Sequence, residues 1–185
     1  MGAIGILGIL LIVLLVYCVI LYNALVSLKV NRENAFADID VQLKQRFDLV
    51  PNLVETVKWY ATHEKELLKE LTQARSARTQ AQTTNEKVAA DSKLTWALSG
   101  LFAVVESYPD LKANTNFIEL QKELADIENK IAAARRYFNN TTKELNTRIQ
   151  TFPSNLIAQA FWHTQEAFFE LTDREKEGVV PGVSF

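Results

Sequence analysis

Helix breakers are scarce in this chain, and where the few fall is informative. Of 185 residues, 6 are glycine and 4 are proline. Gly2, Gly5 and Gly8 crowd the amino terminus, the next glycine is Gly100, and the prolines are Pro51, Pro109, Pro153 and Pro181. A chain so poor in breakers, and rich in Ala, Leu, Glu, Gln and Lys, reads as helix with few interruptions. Cys18 is the lone cysteine, so no intramolecular disulfide can form. An excess of either charge is lacking too: 20 Lys+Arg against 22 Asp+Glu leave a net charge of −2. That balance argues against a nucleic-acid binder, which needs a basic face for phosphates.

Motifs that carry chemistry are missing as well. His63 is followed by Glu64, but Leu67 stands where the HExxH zinc pattern needs its second histidine. His163 has no acidic or cysteine partner at metal spacing. There is no Gly-rich phosphate loop, no GxSxG and no Glu-x-x-His pair of the di-iron bundles. Asp38/Asp40 and Glu64/Glu66 are two apart and face different sides of a helix, so neither makes a carboxylate dyad. The expectation is a protein with no catalytic residue, no cofactor and no metal.

What is abundant is apolar sequence in one run. Ala3 to Leu21 holds no charge, and the first charged side chain is Lys29. About 14 of these residues are Leu, Ile or Val, worth about −4 to −8 kcal/mol toward insertion in all. The run matches the ~20 residues that cross a bilayer. A cleaved signal would want a basic start and small residues at a cleavage site, and a lipoprotein signal a small residue before Cys18, where Tyr17 stands. The reading is an uncleaved anchor over residues 1–22. Lys29, Arg32, Lys44 and Arg46 follow it, so positive-inside places the N-terminus outside and the rest in the cytoplasm. Gly2, Gly5 and Gly8 form a small-residue strip of the kind that lets helices approach closely in lipid, which points to self-association.

Beyond the anchor the period is helical. Phe36, Ile39, Leu43, Phe47, Val50, Val54, Val57 and Ala61 step by three and four. Pro51 interrupts that stripe without shifting its phase, which fits a kinked helix or two coaxial ones, the second capped by Asp48. The helix is expected to run on to Gln82, with a polar loop at Thr83-Thr84-Asn85 and a further helix carrying Leu94, Leu98, Leu101 and Val105. Phe117, Leu120, Leu124, Ile127, Ile131, Ala134, Phe138, Thr141 and Leu145 then give the strongest periodicity, that of a long bundle or coiled-coil helix. Asn116 and Glu119 resemble a capping box at its start. After Phe152-Pro153 a last helix, Leu156 to Leu171, is apolar on most sides, with Phe161, Trp162, Phe168 and Phe169 among its residues. Such a helix must be covered on most sides, and a second subunit is the favoured cover. The tail 177–185, ending in Phe185, is extended and apolar; disorder and docking on a neighbour both fit it.

Certain segments carry a resemblance. They are Tyr22-Asn23-Ala24-Leu25-Val26, Asn34-Ala35, Ile39-Asp40-Val41-Gln42-Leu43-Lys44-Gln45-Arg46, and Asp48-Leu49-Val50-Pro51-Asn52-Leu53-Val54. Tyr60, His63-Glu64, Tyr108-Pro109-Asp110-Leu111-Lys112-Ala113-Asn114 and Ala134-Arg135-Arg136-Tyr137-Phe138-Asn139 continue it. The chain resembles the LemA family of bacterial membrane-anchored helical proteins. One departure is that Tyr137 is followed by Phe138-Asn139 where the family has a Tyr-Asn pair, with Leu145-Asn146 further on. The resemblance implies an N-out span in the inner membrane, a cytoplasmic antiparallel bundle and no known catalysis. Some relatives are linked to shaping membrane and others occur beside membrane zinc metalloproteases.

The resulting expectation is an all-α protein: one transmembrane helix, then an elongated antiparallel bundle of long helices over 23–176, then the tail. Asp40, Arg46, Asp48, Pro51 and Asn52 gather near the expected bend, either to satisfy backbone groups there or to present a site. The leading functional expectation is a membrane scaffold forming an ordered homo-oligomer with lipid as partner, self-associating through Gly2, Gly5, Gly8, Phe161, Trp162, Phe168, Phe169 and Phe185. The rival is an adaptor to a membrane metalloprotease or another envelope partner.

Overall fold

The computed structural model describes residues 2–61, 63–82 and 84–169. Among them every regular element is helical: α1 (Gly2–Asp48), α2 (Val50–Tyr60), α3 (Lys65–Gln80), α4 (Thr84–Val105), the single turn α5 (Pro109–Lys112), α6 (Thr115–Gln150) and α7 (Ser154–Ala160). The all-α expectation holds. The tail 177–185, Phe185 with it, lies outside the described residues.

The chain packs as two compact units. Of the described residues, one takes those up to Ile39 together with 133–169; the other takes Asp40–Ala132.

In the first unit α1 and α6 run antiparallel, because Leu25 packs with Leu145, Arg32 bonds Thr142 and Phe36 meets Phe138. Leu25, Leu145 and Ala158 of α7 form a small core, with Leu28, Ile149 and Ile157 against it. α1 changes character within one step. From Ile4 (80% exposed) to Ile20 (57%) its large apolar side chains are bare, whereas Leu21 and Leu25 are buried. The bare stretch rises about 25 Å at 1.5 Å per residue. It is long and apolar enough to cross a membrane, with a mean hydropathy of 3.2 in its window.

In the second unit, Asp40 and Arg46 on α1 meet Lys87 and Asp91 on α4 in the same order, so these helices run parallel. α3 returns antiparallel to α4, with Leu67 beside Gly100 at one end of the hairpin. α6 returns antiparallel to α4 as well: Phe102 meets Phe117, and Arg46 bridges Asp91 and Glu128. The result is an up-down-up-down bundle, with Leu53, Leu71, Leu94, Leu101, Leu111 and Phe117 fully buried.

Several boundaries differ from the sequence reading. Pro51 has no N–H to give the Phe47 carbonyl, so α1 stops at Asp48; Leu49 keeps a helical φ of −79° and α2 begins at once. Asp48 is not the cap: it pairs with Lys44 at 2.6 Å on the surface. α2 ends at Tyr60 and α3 begins at Lys65, where one helix to Gln82 is expected from the pattern. Leu53 rather than Val54 fills the core position of α2. Asn114, not Asn116, caps α6, its Oδ1 accepting the Phe117 N–H at 3.0 Å.

The largest correction concerns the last helix, which ends at Ala160. His163 N–H reaches back to the Ala158 carbonyl at 2.8 Å and Trp162 N–H to Gln159 at 3.2 Å, while Trp162 takes φ 53°. These are the bonds of a Schellman stop, with tryptophan in the left-handed position glycine usually fills. Periodicity could not see it, because no glycine or proline marks it. Residues 163–169 run without regular structure along the unit.

Candidate functional site

The residues singled out near the bend divide by burial. Arg46 is the central one: its side chain is 7% exposed, and Nη1 donates to Asp91, 5% exposed, at 3.0 Å. Nη2 faces Glu128 at 3.3 Å, so one guanidinium ties α1 to α4 and α6. Arginine suits the place because its planar fork offers donors in two directions and stays charged when desolvated. Six residues earlier, Asp40 accepts from Arg78 of α3 and from Lys87 of α4, the latter at 2.9 Å. Asp40 and Arg46 therefore act within one bundle, in separate ion pairs. Asp48 and Asn52 stand exposed, and Pro51 is half-buried as the opening proline of α2. The satisfying of freed backbone groups at the bend is not what Asp40 and Arg46 do; they pair with side chains across the bundle.

At the far end of the same unit, Tyr60 accepts a hydrogen bond from Asn114 at 2.9 Å, and Tyr108 donates its hydroxyl to Glu64 at 3.1 Å. Partial burial first, and the Glu64 carboxylate second, raise the Tyr108 phenol above its ordinary range. His63 is exposed in the α2–α3 turn. Trp59 and Trp96 are exposed aromatics of this unit.

The first unit holds the second group. A methyl added at Gly2, Gly5 or Gly8 would meet nothing within 4 Å, so the strip lies open along the bare part of α1. Phe161 stacks tilted on Tyr22 at 4.6 Å yet stays half-exposed, and Trp162 is 87% exposed. Phe168 is exposed, while Phe169 lies edge-on to Phe138 at 6.4 Å with Arg135 over its ring at 4.9 Å. His163 is half-buried near Tyr22.

Two asparagines hold the segment that carries these aromatics. Asn146 donates to the Glu166 carbonyl at 2.8 Å and accepts the Glu166 N–H at 2.8 Å. Asn139 does the same for Phe169, at 3.2 and 2.8 Å. Each carboxamide thus pairs with one residue's main chain as a neighbouring strand would. Arg32 adds a bond to the Ala167 carbonyl at 3.0 Å, an ion pair with Glu166 at 3.2 Å, and Nε on Thr142 at 3.1 Å. Sequence reasoning passed over Asn139, Asn146 and Arg32 as binding groups. The available signal was two asparagines seven apart on a helix, at the place where the Tyr-Asn pattern is altered.

The comparisons with known proteins cover most of the chain. Protein LemA of Metamycoplasma hominis (strain ATCC 23114 / DSM 25592 / NBRC 14850 / NCTC 10111 / PG21) is 27% identical over 148 residues, covering 80% of this chain and 68% of its own length. The LemA family matches residues 35–185, which takes in both the ion-paired bundle and the asparagine-held segment, and the chain belongs to the LemA family.

Proposed function

We propose that this chain is a non-enzymatic, membrane-anchored structural protein whose copies assemble into an ordered homo-oligomer that organises or shapes the membrane. The carrying observation is the abrupt change along α1, from bare Leu, Ile and Val through Ile20 to buried Leu21 and Leu25. Water would strongly disfavour so long a bare apolar helix, and lipid would cover it at no cost in backbone hydrogen bonds. Lys29 and Arg32, just beyond, favour a cytoplasmic side for the helical domain under positive-inside. The open glycine strip and the exposed Phe161, Trp162 and Phe168 supply apolar surface for a second copy.

Sedimentation in mild detergent, with negative-stain imaging of the same sample, tests this reading. Discrete particles of several copies are the expected result. A monomer over a wide concentration range would sink the assembly. A second reading, an adaptor to another envelope protein such as a membrane metalloprotease, draws on Trp59 and Trp96, bulky aromatics left exposed on the second unit. It expects a monomer or dimer and a specific partner crosslinked in cells, lost on Trp59→Ala or Trp96→Ala.

A further inference from the structure

Residues 163–169 are held as a bound peptide would be held. Asn139 and Asn146 grip main chain only, at Glu166 and Phe169. The two clamps are seven residues apart on α6, about 10.5 Å along a helix axis. The two gripped residues are three apart, and an extended chain covers about 10 Å in that distance. The spacings match, so an extended peptide in this register satisfies both carboxamides whatever its sequence. Within the gripped stretch, side chains are read where Arg32 pairs with Glu166 and where Phe138 with Arg135 receives Phe169, and at its start His163 lies near Tyr22.

We propose that this groove of α1 and α6 is a receptor for an extended peptide of the pattern acidic-x-x-aromatic, and that its exchange occupant is the same segment of a second copy. The proposal rests on the self-association reading above and gives it a contact. Each copy carries this groove and the segment that fills it, the other acidic-x-x-aromatic run, Glu33 to Phe36, being locked in α1, so reciprocal exchange closes as a two-fold pair. Exchange reproduces every clamp bond and ion pair between copies, leaving the connection at 161–162 as the part that must change. That connection is the costly part of the closed form. Trp162 holds a left-handed φ of 53° without being glycine, a conformation that opening would release. Its side chain is 87% exposed, so little packing secures the turn. Anchoring in one bilayer raises the effective concentration of the second segment.

Two full-length variants in mild detergent test this, carrying different fluorescent labels. Asn139→Ala/Asn146→Ala disables the groove and keeps the segment; Glu166→Ala/Phe169→Ala strips the segment of the two side chains the groove reads, weakening its hold to the main-chain bonds, and keeps the groove. Helical circular dichroism checks both, and Asn139→Ala alone serves if the buried Asn146 proves necessary for folding. A labelled peptide of residues 163–169 is expected to bind the segment-disabled variant, and the groove-disabled one roughly tenfold or more weakly. Mixing the two variants is expected to give energy transfer that neither gives alone. Equal peptide binding to both, or to neither, overturns the groove. Peptide binding without hetero-pairs overturns the second copy as occupant. If both variants assemble as the unaltered chain does, the homo-oligomer stands and this contact falls; if the peptide binds while every species stays monomeric, the groove stands and the homo-oligomer falls.

Discussion

The two compact units solve the burial of polar groups in opposite ways. In the ion-paired bundle, side chains answer side chains: Arg46 with Asp91 and Glu128, and Asp40 with Arg78 and Lys87. In the other unit, the Arg32 bonds to Glu166 and Thr142 apart, side chains answer main chain: Asn139, Asn146 and Arg32 hold backbone groups of Glu166, Ala167 and Phe169. A charge pair is specific to both partners, so it fixes which helix faces which and in what register. A carboxamide on a peptide group accepts any residue, so it fixes path and leaves identity open. The first device suits a permanent scaffold, and the second suits a contact that can be exchanged.

Removing the Arg46 charge breaks the first device hardest. Arg46→Ala leaves Asp91, 5% exposed, without the guanidinium it faces, and is expected to cost about 3–5 kcal/mol in urea unfolding. Replacing both partners with apolar residues, Arg46→Met with Asp91→Leu, is expected to recover much of that loss, because no charge is then stranded. Asn146→Ala attacks the second device. It removes two hydrogen bonds to Glu166 and is expected to cost about 1–3 kcal/mol. Its signature is local: the Glu166 amide exchanges faster with solvent while the amides of α3 and α4 keep their protection. If exchange rose through all helices alike, the distinction between fixed and exchangeable contacts would be lost. Asp40→Ala comes lower, at about 1 kcal/mol or less, since its carboxylate is a third exposed and water can take over for Arg78 and Lys87.

Much of this fold was legible as a pattern of three and four. Leu94, Leu98, Leu101 and Val105 are buried as their spacing requires, as are Phe117 through Leu145 apart from the half-buried Ala134. Packing drives those positions, and packing leaves a period. Arg46 and Asp40 were visible as polar residues of a motif, but their partners Asp91, Glu128, Arg78 and Lys87 lie far along the chain, and pairings at that distance leave no local trace. The stop at Ala160 was hidden for a different reason. Residues 161–169 read as helix by their apolar pattern, and the backbone groups of Glu166, Ala167 and Phe169 are instead met by Asn146, Arg32 and Asn139, a tertiary override that propensity does not contain. The expected Asn116 cap failed by two residues, because Asn114 stands at the place where its carboxamide meets the Phe117 N–H.

The gentlest probe of the bundle is the Tyr108 proton. The hydroxyl donates to Glu64 at 3.1 Å, and partial burial followed by that carboxylate lifts the phenol above its ordinary value of 10.0. Because the folded value lies above the unfolded one, the protonated form favours folding. Its contribution is whole below pH 10.0 and fades as pH climbs through the raised value. Tyrosinate absorbance, as the difference between the unaltered chain and Tyr108→Phe, is expected to place this titration above 10.0. Glu64→Gln removes the negative neighbour and keeps an acceptor, so the titration should fall part of the way back, with burial still holding it up. A return all the way would mean the carboxylate alone sets the shift. No movement would mean that Glu64 acts as a bond without a charge, and the contrast between charge-fixed and backbone-fixed contacts would then stop short of this end of the bundle.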